Sequence, residues 1–446
     1  MKIQKIASST VIITTDDCKI LCDPWIENGE YFGSWSIVEK INKEKFYKEM
    51  NKCEFIYLSH IHPDHFSKKT LNNISKEKKV IIHSYASPFL KKNLEILGFK
   101  NVIEVNHNEK QNLKGKTSIV IYAADDCDPN ICRKFVGCNY SGSETGKKSH
   151  QIDTCAIITD KSDTCLNLND CEFNMMESTI KRINQDFNKI NILLVNYNSA
   201  HSYPQNIKNF SENDKLKISH DLKKLTLQKS VSFIEKFQPD YFMPFAGEYT
   251  ISGKLYNLNR YKGTNSQKEC YEYFISSKFK DSLIMLNYGE EFDSKNPVSN
   301  FKIKNDQEYI DYENSFLKNI KYEYDNDPKP TEETIEQLAF KAFERLQYKI
   351  KNLNLNFDHS LFIKYFNKYI FLNLKTQKIS IVSNINDSIE NYTILELDEK
   401  LLIRLLKGPK YAHWNNADIG SHIFFTRSNV HDFNYKIWNS IAYFHA

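Results

Sequence analysis

The sequence predicts an α/β protein of layered sheets followed by a smaller α+β unit, and three observations lead there. Short apolar runs of strand length recur through the first 250 residues, with helical patterns between some of them, which argues for layered sheets rather than a bundle. At 446 residues the chain is too long for one ordinary core. A polar, doubly proline-marked stretch, Asp325-Asn326-Asp327-Pro328-Lys329-Pro330, then marks a change of unit.

Taken in order, Val11 to Thr15 and Lys19 to Cys22 read as a hairpin across the Asp16-Asp17 turn. Glu54 to Ser59 is a short buried strand and Lys79 to His83 another; a helical pattern from Phe89 to Leu97 stops at Gly98. Val102 to Val105, Thr117 to Ala123, Thr154 to Thr159, Cys165 to Leu168 and Leu193 to Tyr197 continue the strand series. A long amphipathic helix over about Lys215 to Phe237 leads into the strand Tyr241 to Phe245. The first unit is placed at 1–300, a linker region at 301–330 and the second unit at 331–446. There Thr331 caps a helix running through Ile350, strands lie near Tyr369 to Leu374 and Ile379 to Val382, and Asp398 caps a helix, Glu399 to Leu406, that ends at Gly408.

Composition limits the function classes. The net charge of +4 is small beside 60 basic and 56 acidic residues, and the lysines are scattered, so no nucleic-acid partner is expected. The early apolar run Val11-Ile12-Ile13 is too short for a signal peptide, and no stretch approaches the roughly 18–20 apolar residues of a membrane span. A cytoplasmic location is therefore expected. The ten cysteines are expected to be free thiols there.

The chemistry concentrates in Tyr57-Leu58-Ser59-His60-Ile61-His62-Pro63-Asp64-His65. An apolar strand delivers three imidazoles and a carboxylate within six positions. Alternation at the strand end turns His60 and His62 the same way, towards one ion, while Asp64 and His65 come from the turn beyond and reach a second. Mixed nitrogen and oxygen donors suit one or two divalent ions, zinc or iron, with manganese also accommodated.

This run resembles the signature of the metallo-β-lactamase superfamily, which implies an αββα sandwich for the first unit. The resemblance also implies further ligands: His150, before the strand Thr154 to Thr159, for the first ion with His60 and His62, and Asp170 between that ion and a second held by Asp64 and His65. Asp23 is expected to orient a ligating histidine from behind. The superfamily's final histidine is missing, because the matching segment reads Met243-Pro244-Phe245-Ala246-Gly247-Glu248-Tyr249. Glu248 is the candidate to substitute as ligand or acid/base, and His201 is a candidate to face substrate or metal.

A narrower resemblance is to the metallo-β-lactamase-type part of the CMP-N-acetylneuraminate hydroxylase family. It rests on Asp23-Pro24-Trp25 with Trp35, on Leu58 through Ser67, on Asp153-Thr154-Cys155 followed by Leu168-Asn169-Asp170-Cys171, on Asn196-Tyr197-Asn198 through Tyr203-Pro204, and on Pro244-Phe245-Ala246-Gly247 with Asn257-Leu258-Asn259. That family also carries a Rieske domain, which needs paired Cys-x-His and Cys-x-x-His ligands, and this sequence contains no such pairs. Cys127, Cys132 and Cys138, with Cys155, Cys165 and Cys171, fit no cluster spacing and are read as packed thiols. The C-terminal unit, through Leu405-Leu406-Lys407-Gly408 and Asn416 to Ser421, resembles sterol-carrier-type α+β domains, with Trp414 in its core.

Three functions remain open. One is a metal-dependent hydrolase in which activated water attacks a phosphodiester, amide or ester of a small, sugar-derived or nucleotide-sugar substrate. The second is an iron oxygenase with a separate electron donor. The third is a non-catalytic binding module.

Overall fold

In the computed structural model the described residues are 1–128, 130–131, 151–298, 301–303, 306–430 and 435–446. The N-terminal half contributes strands β1 (Lys2–Ala7), β2 (Thr10–Thr14), β3 (Lys19–Cys22), β4 (Trp35–Ser36), β5 (Phe55–Leu58), β6 (Lys79–His83), β7 (Asn101–Val105), β8 (Lys110–Lys114), β9 (Thr117–Ala123), β10 (Thr154–Thr159), β11 (Thr164–Asn167), β12 (Ile192–Asn196), β13 (Tyr241–Phe245), β14 (Thr250–Ile251) and β15 (Glu291–Asp293). The C-terminal half adds β16 (Ser360–Tyr365), β17 (Lys368–Asn373), β18 (Lys378–Val382), β19 (Tyr392–Glu396) and β20 (Phe424–Arg427).

Two sheets stack face to face. The first has the order β15-β1-β2-β3-β5-β6-β7, antiparallel through β3 and parallel from β3 to β7. The second, β13-β12-β11-β10-β9-β8, is parallel from β11 to β13 and antiparallel elsewhere. Alternation along each strand then assigns four layers. Phe55 and Tyr57 of β5 meet Ile192 and Leu194 of β12 in the core between the sheets. Ile56 and Leu58 turn outward to Phe46, Met50, Leu90 and Leu94, which come from the helices Lys43–Asn51 and Phe89–Ile96. Leu193 and Val195 turn outward on the other side, to Ile180, Phe233 and Phe274 from the helices Glu177–Asp186, Glu212–Phe237 and Gln267–Ile275. Both central strands are apolar on both faces because both sheets are covered. The result is the αββα sandwich.

The long helix begins at Glu212, one turn before the expected start. Ser211 caps it reciprocally with Asp214, and a capping box of this kind satisfies two otherwise orphaned backbone donors. Thr331 and Asp398 cap the helices Glu332–Asn352 and Glu399–Lys407, and Gly408, at φ +101°, ends the second.

The C-terminal sheet has the order β18-β17-β16-β19-β20, with only β16 and β19 parallel. Ile335, Phe343 and Leu346 of Glu332–Asn352 and Leu402 and Leu405 of Glu399–Lys407 pack on its inner face. Trp414 lies in this core, its indole N–H donated to Phe444 O at 3.0 Å. The 301–330 segment, expected as a linker, carries the helix Asp306–Ser315 and then packs down: Tyr322 and Tyr324 are buried in the C-terminal core, and Tyr322 donates to Ser252 O at 2.7 Å. Among the described residues no helix is long and apolar enough to cross a membrane.

Candidate metal centre

The site lies where β3, β5 and β11 end and β10 begins, along one edge of the sandwich. Asp23 follows β3, Ser59 and His60 follow β5, Asp153 precedes β10 and Asp170 follows β11. Asp23 is fully buried at φ +45° and organises the group behind the histidines. Its Oδ1 accepts from the Ser59 backbone N–H at 2.8 Å, and its Oδ2 accepts from Ser59 Oγ at 2.7 Å and from His65 Nδ1 at 2.9 Å.

These bonds fix two tautomers. Ser59 has one hydroxyl proton, and it goes to Asp23, so the Ser59 oxygen accepts from His60 Nδ1 at 2.9 Å. His60 Nε2 is thereby left as a lone pair facing the centre. His65 Nδ1 is likewise committed to Asp23, which turns its Nε2 inward. That nitrogen is buried without an aligned hydrogen bond, 3.2 Å from Asp170 Oδ1 and 3.5 Å from Asp64 Oδ2. His60 Nε2 lies 3.1 Å from His62 Nδ1 and 3.8 Å from Asp170 Oδ2. Asp64 is held from two sides, by the Tyr31 hydroxyl on Oδ1 at 2.6 Å and by Ser9 on its main-chain oxygen at 2.6 Å.

The donor set fits a cation. Neighbouring ligands about 2.1 Å from one ion stand roughly 3.0–3.4 Å apart, the spacing of His60 Nε2 to His62 Nδ1 and of His65 Nε2 to Asp170 Oδ1. Two groups have all ligand atoms within 4.8 Å of one another: His60 with His62 and Asp153, and His60 with His65 and Asp170. Burial holds the His62 pKa down at about 4 and that of His60 well below its ordinary value, so both imidazoles present lone pairs. Burial alone would also lower His65, but Asp170, Asp64 and Asp23 raise it well above the usual histidine value. Burial, with Asp170 nearby, pushes Asp153 up to about 8. A carboxylate cluster that pulls a proton onto a buried imidazole is one with charge to neutralise.

The structure thus brings His60, His62, Asp64, His65 and Asp170 together. His150 lies outside the described residues, as do Cys132 and Cys138. Sequence alone gives Asp153 no ligand role; the signal for one is an acidic residue immediately before a buried strand whose end faces the histidine run. Glu248 is placed elsewhere. Its Oε1 accepts from Lys5 at 2.6 Å and Tyr197 at 2.8 Å, and its Oε2 from Tyr288 at 2.7 Å and Gln267 at 2.9 Å, so both oxygens are saturated. His201 Nε2 pairs with Ser199 Oγ at 3.0 Å, and neither His201 nor Glu248 joins either metal-capable group among the described residues. Cys22, Cys155, Cys165 and Cys171 are buried free thiols, and among the described residues no cysteine joins those groups either.

A family model described as a beta-lactamase superfamily domain matches residues 2–132 of the chain. Its curated relatives include a putative Rieske 2Fe-2S iron-sulfur protein of Mycolicibacterium smegmatis, 25% identical over 205 residues, covering 46% of this chain and 35% of that protein. Cytidine monophosphate-N-acetylneuraminic acid hydroxylase of Danio rerio is 21% identical over 259 residues, covering 56% and 38%. The matched region thus spans little more than a third of those relatives. Among solved structures, isothiocyanate hydrolase from Delia radicum gut bacteria overlaps 66% of this chain and 99% of its own, with 12% identity and a TM-score of 0.45. CmlA, a diiron β-hydroxylase from Streptomyces venezuelae, overlaps 65% and 53%, with 12% identity and a TM-score of 0.40.

Proposed function

We propose that the chain is a metal-dependent hydrolase acting on a phosphodiester, amide or ester bond of a small, sugar-derived substrate. The observation that carries this reading is the pair of metal-capable groups sharing His60. His60, His62 and Asp153 would hold one divalent ion, and His65, Asp64 and Asp170 would serve a second. A divalent cation so held supplies Lewis acidity and makes water acidic enough to react near neutral pH. The protein's own part is positioning. Asp23 locks His65, the Ser59 hydroxyl locks His60, and Tyr31 takes one oxygen of Asp64, so Oδ2 is the oxygen left to hold a ligand or accept a water proton. Tyr31, Trp35 and Tyr249, with the last two stacked at 3.4 Å, wall the Asp64 side with buried rings.

A second reading, an iron-dependent oxygenase fed by a separate electron donor, is favoured by the Rieske protein and the hydroxylase among the curated relatives. One experiment separates them: metal analysis of protein purified without chelator, with turnover of an ester, amide and phosphodiester panel under air and under nitrogen. Zinc content with oxygen-independent turnover is the expected result, lost together with the metal in His60→Ala. Iron content with oxygen consumption moves the assignment to the oxygenase. A protein that binds no divalent metal, wild type and His60→Ala alike, overturns both and leaves a binding module.

A further inference from the structure

The contact at the centre that the sandwich does not account for comes from the other half of the molecule. The short helix Trp414–Ile419 of the C-terminal domain places Asn415 Nδ2 3.4 Å from His62 Nε2. His62 Nδ1 is the nitrogen that faces His60 and the metal-capable group, so Nε2 is the nitrogen that carries the ring proton. A ring N–H needs an acceptor, and exchanging the amide oxygen and nitrogen of Asn415, a 180° turn about the Cβ–Cγ bond that leaves the shape of the side chain unchanged, puts Oδ1 in the place of Nδ2 to supply one. The helix has little freedom to drift from this position. Asp418 accepts from Ser202, Gln205 donates to Ser421 Oγ at 3.4 Å, and His422 Nε2 sits 2.8 Å from the main-chain oxygen of Tyr31, the residue that holds Asp64.

We infer that Asn415 is a positioning residue for the metal centre: the C-terminal domain supplies the outer partner that orients His62, as Asp23 orients His65 and Ser59 orients His60. The inference rests on the metal-site reading above. It makes the second domain a structural component of the site rather than an appendage to it. Each of the three histidines then has its remote ring nitrogen committed, two within the sandwich and one across the domain boundary.

The test is zinc(II) affinity of the full chain, measured by competition with a chromophoric chelator and therefore independent of any substrate. Removing an outer-sphere partner of a ligating histidine costs roughly 10–100-fold in metal affinity. Asn415→Leu is expected to lose that much, while Asn415→Asp, which keeps the acceptor, holds affinity within a few-fold of wild type. If Asn415→Leu does not fold, Asn415→Ser, too short to reach the ring, takes its place with the same expected loss. Wild-type affinity in the Leu or Ser variant overturns the inference, and so does equal loss in the Leu and Asp variants. His60→Ala keeps the two levels apart: if it also binds zinc normally, the metal-site reading falls, whereas if it loses zinc and Asn415→Leu does not, only the role of Asn415 falls.

Discussion

At the scale of single residues, the candidate ligands divide by how far apart they lie in the chain. His60, His62, Asp64 and His65 were legible because four donors crowded into six positions after a buried strand seldom serve anything but a cation. Asp153 and Asn415 were not, because only folding brings them to His62, and neither residue type is distinctive where it stands. Glu248 shows the converse. It occupies the segment where a ligand was wanted, yet Lys5, 243 positions away, claims it. The pair is almost wholly buried, with side-chain exposures of 1% and 3%, and removing one member of such a pair leaves the other charge uncompensated. Glu248→Gln is therefore expected to lower stability by about 3–5 kcal/mol in urea unfolding while leaving metal content at the wild-type level. Loss of metal with little loss of stability would return Glu248 to the ligand set. Lys5→Met added to Glu248→Gln should recover much of the stability, because the isolated charge is gone.

At the scale of elements, strands with apolar faces were readable and polar edges were not. β5 and β12 announce themselves by continuous apolar residues, whereas β8, Lys110–Lys114, is a half-exposed lysine-bearing edge strand whose sequence resembles a loop. β1 and β15 escape sequence patterning for a different reason: β15 is three residues long and pairs with a strand nearly 290 residues earlier. The junction between β9 and the helix Glu177–Asp186 is held by a charge cluster that makes a pH prediction. Asp126 accepts from Arg182 Nε at 2.6 Å and Nη2 at 2.9 Å, and His107 Nε2 lies 2.8 Å from it. Burial pushes the Asp126 pKa up, but the bonds to His107 and Arg182 outweigh it and hold the carboxyl at about 2, below its ordinary 3.8. Between those values the unfolded chain binds the proton and the folded one does not, so stability falls as pH drops from 4 to 2. A shift of that size, screened by the partial exposure of the pair, corresponds to at most about 2 kcal/mol, reached above about pH 5. Acid titration followed by circular dichroism should show Asp126→Asn less stable than wild type at pH 6 and converging on it near pH 2. A constant gap across that range would mean that the Asp126 charge is not what stabilises the junction.

At the scale of the whole molecule, the two halves are interleaved in a way that hydrophobic patterning alone does not reveal. The segment after β12 leaves the sandwich and runs along the edge of the C-terminal sheet, where Ile207 bridges Phe425 in parallel register. Lys208 N donates to Phe425 O at 2.8 Å, Phe425 N to Asn206 O at 2.9 Å, and Asn209 Nδ2 to Arg427 O at 2.8 Å. Ile207 and Phe210 are buried members of the C-terminal core, although both precede the long helix of the N-terminal half. In the other direction, Tyr322 and Tyr324 hold the 301–330 segment to both halves, and Arg404 binds Asp327 through Nε at 2.6 Å and Nη2 at 2.8 Å. A cavity made at Ile207 should therefore be felt in the partner domain. Ile207→Ala removes buried methyl groups at a cost of about 2–5 kcal/mol. Because Ile207 bridges β20 and lies in the C-terminal core, amide hydrogen exchange should quicken in β16, β19 and β20, more than 150 residues downstream, by the factor that free energy implies. Exchange that quickens only within 198–210 would show the segment to be a surface strap, and the C-terminal core to stand without it.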